Sequence, residues 1–238
     1  DYPCVVMDAL NIKSQVSDRK RQENREMDSP RHEANDNAAY LREQVKTLIK
    51  TIENTDYNKA RTAAMALMVL PRRYTAPPLL KLLRDSNPLV KQNAVWALGF
   101  CGDESMAATI KSLLKDRNTE VRRETVLALK RLNASQSAPA LMEALKTETE
   151  QGVKYDIART LGTFGDRGAV FALMNVLTKE KSWYVKSGCV EALGNIGGDM
   201  AMNALAKILV TDAGDDAGWA RTKAAWALTA IGPKSIPL

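Results

Sequence analysis

A chain of 238 residues, 45% of them apolar, is long enough to bury a sizeable core without disulfides. It has no run of about 18 uncharged apolar residues, which excludes a membrane-spanning helix. The net charge of +6 is uneven: residues 1–37 hold six Lys/Arg and eight Asp/Glu, and the other 201 hold 28 against 20. A basic body of this kind favours acidic partners, either nucleic acid or an acidic protein surface.

The first segment, residues 1–37, is charged and poor in large apolar side chains, and Pro30 interrupts it. It reads as an extended or partly helical N-terminal arm that cannot fold alone, with CVVMDALNIKSQV (4–16) as a stretch that docks elsewhere or binds a partner. Residues 17–37 are expected to be dispensable for folding. From residue 38 the pattern changes. In AAYLREQVKTLIKTI (38–52), Leu41, Val45, Leu48, Ile49 and Ile52 form a helical stripe, with Asp36 or Asn37 as N-cap.

A motif then recurs from anchors at Lys59, Val90, Val121, Val153, Val185 and Ala220, spaced 31 to 35 residues apart. Eight residues after each anchor stands a leucine: Leu67, Leu98, Leu129, Leu161, Leu193 and Leu228. Offsets 0, 4, 7, 8 and 11 share one helical face, so each copy is an amphipathic helix. Cys189, at offset 4, reads as a small buried hydrophobe. At offset 12, Gly102, Asn133, Gly165, Gly197 and Gly232 are residues that tolerate the left-handed conformation closing a helix, and Pro71 stops the first copy. A second apolar-periodic segment precedes each anchor: residues 38–52, 77–85, 108–116, 139–147, 169–178 and 202–211. No segment alternates with period two. The expected architecture is therefore all-α: six helix pairs stacked from 38 to 238 around one continuous core, with the 1–37 arm attached.

Catalytic chemistry is hard to assemble from these residues. The single histidine, His32, lies in the arm, which removes Ser-His-Asp and Cys-His arrangements and multi-histidine metal sites. Paired carboxylates remain formally possible, for example Glu124 with Asp156 at the same offset in adjacent copies. The three cysteines, Cys4, Cys101 and Cys189, form no C-x-x-C pair, so neither a disulfide framework nor a zinc site is suggested. Free cysteines favour a cytoplasmic location; a start at Asp1 fits an exported or periplasmic protein whose signal has been removed. The acidic connection TDAGDDAGW (211–219) carries Asp212, Asp215 and Asp216 but lacks the EF-hand spacing of a calcium loop. No metal or cofactor is expected, and the chain reads as non-catalytic.

The repeat resembles the HEAT-like repeats of the kind found in phycobilisome lyases, most closely over LLKDRNTEVRRETVLAL (113–129). The resemblance implies an α-solenoid whose second helices line a concave binding surface. It also implies a ladder of Asp and Arg/Lys tying neighbouring repeats. Asp85 and Asp116 match the acids and Lys91, Arg122, Lys154, Lys186 and Arg221 the cations, whereas Thr147, Lys179 and Thr211 stand where further acids would be. A missing acid leaves the later cations free for a ligand. Repeats of this type serve scaffolds, nucleic-acid binders and enzyme subunits alike, so fold alone does not choose among them.

The copies differ most at offsets 2 and 6, off the apolar face. Offset 2 reads Arg61, Gln92, Arg123, Tyr155, Ser187 and Thr222; offset 6 reads Met65, Trp96, Leu127, Arg159, Glu191 and Trp226. Met65, Trp96 and Leu127 would form an apolar strip edged by Arg61, Arg123 and Arg159, which is what a protein-binding surface looks like. Packing of Trp96 on a neighbouring helix and a small-molecule pocket are the other two readings. The expected binding residues are Arg61, Met65, Trp96, Arg123, Leu127, Tyr155, Arg159 and Trp226. The leading function is a protein-binding scaffold or assembly factor, and the basic body makes an acidic protein partner one option. Nucleic-acid-backbone binding and an accessory subunit of a phycobilin-lyase-like enzyme are the alternatives. The ending IGPKSIPL has no polar capping helix, so a partner or further chain would be needed to cover the last apolar face.

Overall fold

The computed structural model describes residues 30–53, 56–211 and 217–231. All regular structure among them is helical. The contacts divide the chain into two compact units, Asp1–Gly102 and Asp103–Leu238.

The first unit holds α1 (Pro30–Ile52), α2 (Tyr57–Met68), α3 (Arg72–Leu82) and α4 (Pro88–Cys101). α1 begins eight residues before the expected start, so Asp36 and Asn37 lie inside it and do not cap it. The reason is positional. Proline breaks a helix interior but suits its first residue, where the amide has no partner to lose. Residues 1–29 of the arm lie outside the described residues. Leu41, Val45 and Ile52 are buried as the stripe requires, while Leu48 and Ile49 are only partly so.

Asp56 caps α2, accepting from the amides of Asn58 and Lys59 at 3.0 and 3.1 Å. Asn87 caps α4 through the Leu89 amide at 3.0 Å. α3 starts at Arg72, ahead of the expected Pro77, and contains both Pro77 and Pro78. α1 packs on α2 and α3, and α4 packs on α2 and α3.

In the second unit the segment expected as one helix over 108–116 is irregular: a 3-10 turn (Glu104–Met106), a single α-turn α5 (Ala107–Ile110) and a further 3-10 stretch (Lys111–Lys115). Ser112 there donates to the Thr109 carbonyl at 2.7 Å, the kind of side-chain bond that competes with helix geometry. Regular helices follow: α6 (Thr119–Arg131), α7 (Ala138–Thr147), α8 (Gln151–Phe164), α9 (Ala169–Lys179), α10 (Trp183–Ile196), α11 (Gly198–Thr211) and α12 (Ala217–Ile231). Within this unit α6, α8, α10 and α12 pack in series, and so do α7, α9 and α11. Each first helix also packs on its own second helix. The offset-8 leucines Leu67, Leu98, Leu129, Leu161 and Leu193 are all 0% exposed, so the row is the core. Leu228, in the last described helix, is partly exposed.

The helix ends follow the offset-12 rule with one exception. Asn133 (φ 50°), Gly165 (φ 67°) and Gly197 (φ 63°) have positive φ, and the Ala134 amide reaches back to the Leu129 carbonyl at 3.0 Å. Gly102 instead is extended at φ −81°, ψ −171°, because the chain leaves α4 directly into the capping turn of Asp103. Gly232 lies outside the described residues.

Candidate protein-binding face

The expected binding residues sit on the second helix of each pair, α2, α4, α6, α8 and α12. In the first unit, Arg61 reaches from α2 across to α4, its guanidinium carbon 3.8 Å from the centre of the Trp96 ring. Phe100, one turn further along α4, packs on the indole with ring centroids 4.9 Å apart and its ring tilted by 56°. Trp96 and Met65 are half-buried, and Phe100 remains 48% exposed. Trp96 is thus both packed and accessible.

In the second unit the face is built from cross-helix pairs. Arg123 on α6 donates to Asp156 on α8 at 2.8 Å. Arg159 on α8 donates to Glu191 on α10 at 2.9 Å and lies 5.5 Å from the Tyr155 ring centre. Tyr155 stacks on Tyr184 of α10, with centroids 4.2 Å apart and planes 17° from parallel. Trp183 meets Tyr184 edge-on at 6.1 Å. Gly188 makes room for this stack: a Cβ there would sit 2.8 Å from the Tyr155 ring. Leu127 is half-buried on α6, and Trp226 on α12 is 63% exposed with the Lys223 ammonium 5.3 Å from its ring.

Hydrogen bonds donated to Asp156 and Glu191 hold the Arg123 and Arg159 guanidiniums above the usual arginine range. The Tyr184 phenol is pushed up by burial and then by Asp156. Glu124 and Asp156 do not form a carboxylate pair. Glu124 accepts from Arg131 at 2.7 Å and Asp156 from Arg123, so each acid is neutralised by its own arginine.

Phe100, Trp183 and Tyr184 escaped the sequence reading. Phe100 follows Trp96 by four residues, a one-turn spacing that could have flagged it. Trp183 and Tyr184 precede their anchor, outside the compared offsets.

The inter-repeat ladder is longer than the sequence suggested. Arg122 makes a bidentate pair with Glu148, both bonds 2.8 Å, and also donates to the Asp116 carbonyl at 3.0 Å. Lys154 donates to Glu180 at 2.6 Å. The acids do not run out after Asp116: Glu148 and Glu180 take over one position later, because those copies are 32 residues long and the connection absorbs the extra residue. Neither Arg122 nor Lys154 is therefore available to a ligand. Each acid also accepts backbone amides of its own turn, Asp85 from Asn87 at 2.7 Å and Glu148 from Thr149 and Glu150 at 2.9 and 3.0 Å.

Both described thiols are buried. Cys189 is 0% exposed and burial pushes its pKa up to about 12, and burial likewise raises Cys101. Among the described residues no group of three or more His, Cys, Asp or Glu is placed to hold a metal ion. Asp212, Asp215 and Asp216, the calcium-loop candidates, lie outside them, as do Cys4 and the chain end 232–238. No described helix is long and apolar enough to cross a membrane.

A sequence model of HEAT repeats matches residues 45–130, 76–162 and 138–229. The chain belongs to the HEAT-repeat family. Over 76 residues this HEAT-repeat chain is 37% identical to the protein in the gldA 3′ region of Geobacillus stearothermophilus, covering 31% of the chain and 35% of that protein. Over 112 residues it is 30% identical to protein YibA of Escherichia coli K12, covering 46% and 39%. The matched segment thus spans between a third and two fifths of the length of these curated relatives.

Among solved structures, it is similar to one of Kap95p binding to RanGDP (TM-score 0.58, 13% identity, 95% of this chain and 34% of that one). It is also similar to a designed armadillo repeat protein in complex with the peptide (KR)4 (TM-score 0.50, 19% identity, 77% of this chain and 99% of that one). Both likenesses are of fold: stacked helical repeats, as the HEAT-repeat chain itself shows.

Proposed function

We propose that this HEAT-repeat chain is a non-catalytic protein-binding scaffold that engages its partner through its second helices, with Arg61, Met65 and Trp96 in the first unit and Arg123, Leu127, Tyr155, Arg159 and Trp226 in the second. One observation carries the reading. The exposed large aromatics fall mainly on second helices: Tyr57, Phe100, Trp183 and Trp226 are 48%, 48%, 53% and 63% exposed, with Phe171 on a first helix the exception. Aromatic and arginine side chains are enriched at protein interfaces and carry much of their energy. The arginines of this face are already held by Trp96, Asp156 and Glu191, so they are pre-positioned and lose little side-chain entropy on binding. Proteins of the same fold engage a peptide or a protein in the two solved complexes named above.

The test is affinity capture on the immobilised chain, with mass spectrometry of what is retained, for wild type, Trp96→Ala and Trp226→Ala. A discrete protein retained by wild type and depleted on the two variants supports the reading. Identical capture by all three, or retention that disappears with nuclease, sinks it.

A further inference from the structure

The net positive charge of the repeat region is concentrated in the first unit. Residues 38–102 hold ten Lys/Arg against four Asp/Glu, whereas residues 103–238 hold 18 against 16. In the first unit the cations align on first helices. On α1, Arg42, Lys46 and Lys50 recur every fourth residue and are all exposed. On α3 and just after it, Arg73, Pro77, Lys81 and Arg84 follow the same helical spacing and are all exposed. α1 and α3 pack on each other. Where they meet, Arg42 and Arg73 converge on Tyr74, their guanidinium carbons 5.9 and 4.9 Å from its ring centre.

The contrast with the second unit is chemical. There Arg122, Arg123, Arg131 and Arg159 each hold a carboxylate within 2.8 Å. Neither Arg42 nor Arg73 has a carboxylate of the described residues within ion-pair distance. The α1 stripe has Glu43 beside it, and that carboxylate is engaged by Lys46 at 3.3 Å. Two guanidiniums drawn to one phenol ring repel each other, and an oxyanion placed between them removes that cost.

We propose that this first-helix face, Arg42, Lys46 and Lys50 with Arg73, Lys81 and Arg84, docks a carboxylate-rich segment of a partner protein. This rests on the reading of the chain as a protein-binding scaffold and adds a second contact face with a stated chemistry. The dimensions suit a peptide. Arg73 to Arg84 spans about 16 Å of helix at roughly 1.5 Å per residue, the length of about five residues of extended chain at roughly 3.3 Å each. A duplex offers a poorer match. Its binders neutralise roughly six to ten phosphates, and one of the six cations here is already tied to Glu43. The one aromatic ring of the patch already has guanidinium carbons 5.9 and 4.9 Å from its centre, which compete with a base for stacking on it.

The test is fluorescence anisotropy with a labelled peptide of alternating Glu and Gly, about ten residues long, on the full chain. Arg42→Glu/Arg73→Glu is expected to weaken binding at least about tenfold. Lys111→Glu/Lys181→Glu, the same charge change on exposed lysines of the second unit, is expected to leave it within about twofold. Circular dichroism melting checks the fold, and Arg42→Gln/Arg73→Gln replaces the reversal should that variant unfold. Equal weakening by both double reversals reduces the effect to net charge and overturns the proposal. So does a labelled DNA duplex that binds more tightly than the peptide and displaces it. Absence of peptide binding overturns this face while Trp96-dependent protein capture stands. Loss of that capture with peptide binding intact overturns the second-helix reading alone.

Discussion

Trp96 shows how one side chain can serve packing and recognition together. Arg61 and Phe100 both pack on its indole, and the residue still keeps part of its surface in solvent. Truncation of a Trp at the centre of an interface commonly costs about 2 kcal/mol or more, roughly thirtyfold in affinity. Trp96→Ala is expected to lower partner affinity by that factor. The accompanying stability loss is expected to be smaller, about 1–2 kcal/mol, because the side chain is only half-buried; titration calorimetry and urea unfolding would separate the two. Asn93, three residues earlier on α4, is a different case. It is 0% exposed, and neither its amide nitrogen nor its amide oxygen has a hydrogen-bond partner. Asn93→Val, only slightly larger and free of the unmet polar groups, is expected to stabilise the protein by about 1 kcal/mol. A melting temperature below wild type would show that Asn93 is satisfied in solution.

At the scale of elements, the second helices are brought together by small residues. An added Cβ at Gly162 on α8 would lie 2.5 Å from the Ala192 Cα of α10, which is backbone and cannot step aside. Gly162→Val should therefore force α8 and α10 apart and destabilise by about 1–3 kcal/mol, the usual range for overpacking. An unchanged urea midpoint would mean that the helices can separate freely. Helix existence was legible in the sequence except over 108–116, where the expected helix is broken into 3-10 and single-turn pieces; several boundaries were not legible. Pro30 was read as a breaker and starts α1; Pro77 was read as a start and lies inside α3. Local rules favour proline at a helix start, as at Pro30, and oppose it in the interior, where Pro77 and Pro78 sit because α3 packs on its neighbours in that register.

For the molecule as a whole, the ladder of the second unit makes stability depend on pH. Burial alone would raise the Glu148 carboxyl, but the Arg122 hydrogen bonds and two backbone amides outweigh it and hold it below the usual range. Glu180 is lowered chiefly by its hydrogen bond from Lys154. A carboxylate whose folded pKa is depressed contributes stability that is fully present above its unfolded pKa, about 4.3. That contribution is lost as pH falls through the folded value. The melting temperature is thus expected to be flat near neutrality and to fall below about pH 4. Glu148→Gln/Glu180→Gln should be less stable at neutral pH, since it leaves Arg122 and Lys154 partly buried without their counter-charges. Its melting temperature should also change less on acidification. A double variant with the wild-type acid profile would show that other carboxylates set it.

The sequence by itself determined the helix pairs, their period and the core row, because burial imposes a periodicity that every copy must repeat: the offset-8 leucines predicted as core are core from Leu67 to Leu193. It also placed the expected binding residues on one helix of each pair, since offsets 2 and 6 lie off the apolar stripe. Only the tertiary structure decided which of them meet. Arg61 finds Trp96, Arg123 finds Asp156 and Arg159 finds Glu191 between helices about 31 to 35 residues apart in the chain. Such pairings depend on how far one repeat slides along the next, a quantity set by small contacts such as Gly162 on Ala192. The basic face has the same origin: Arg42 and Arg73 look unrelated in the chain, and packing of α1 on α3 brings both to Tyr74.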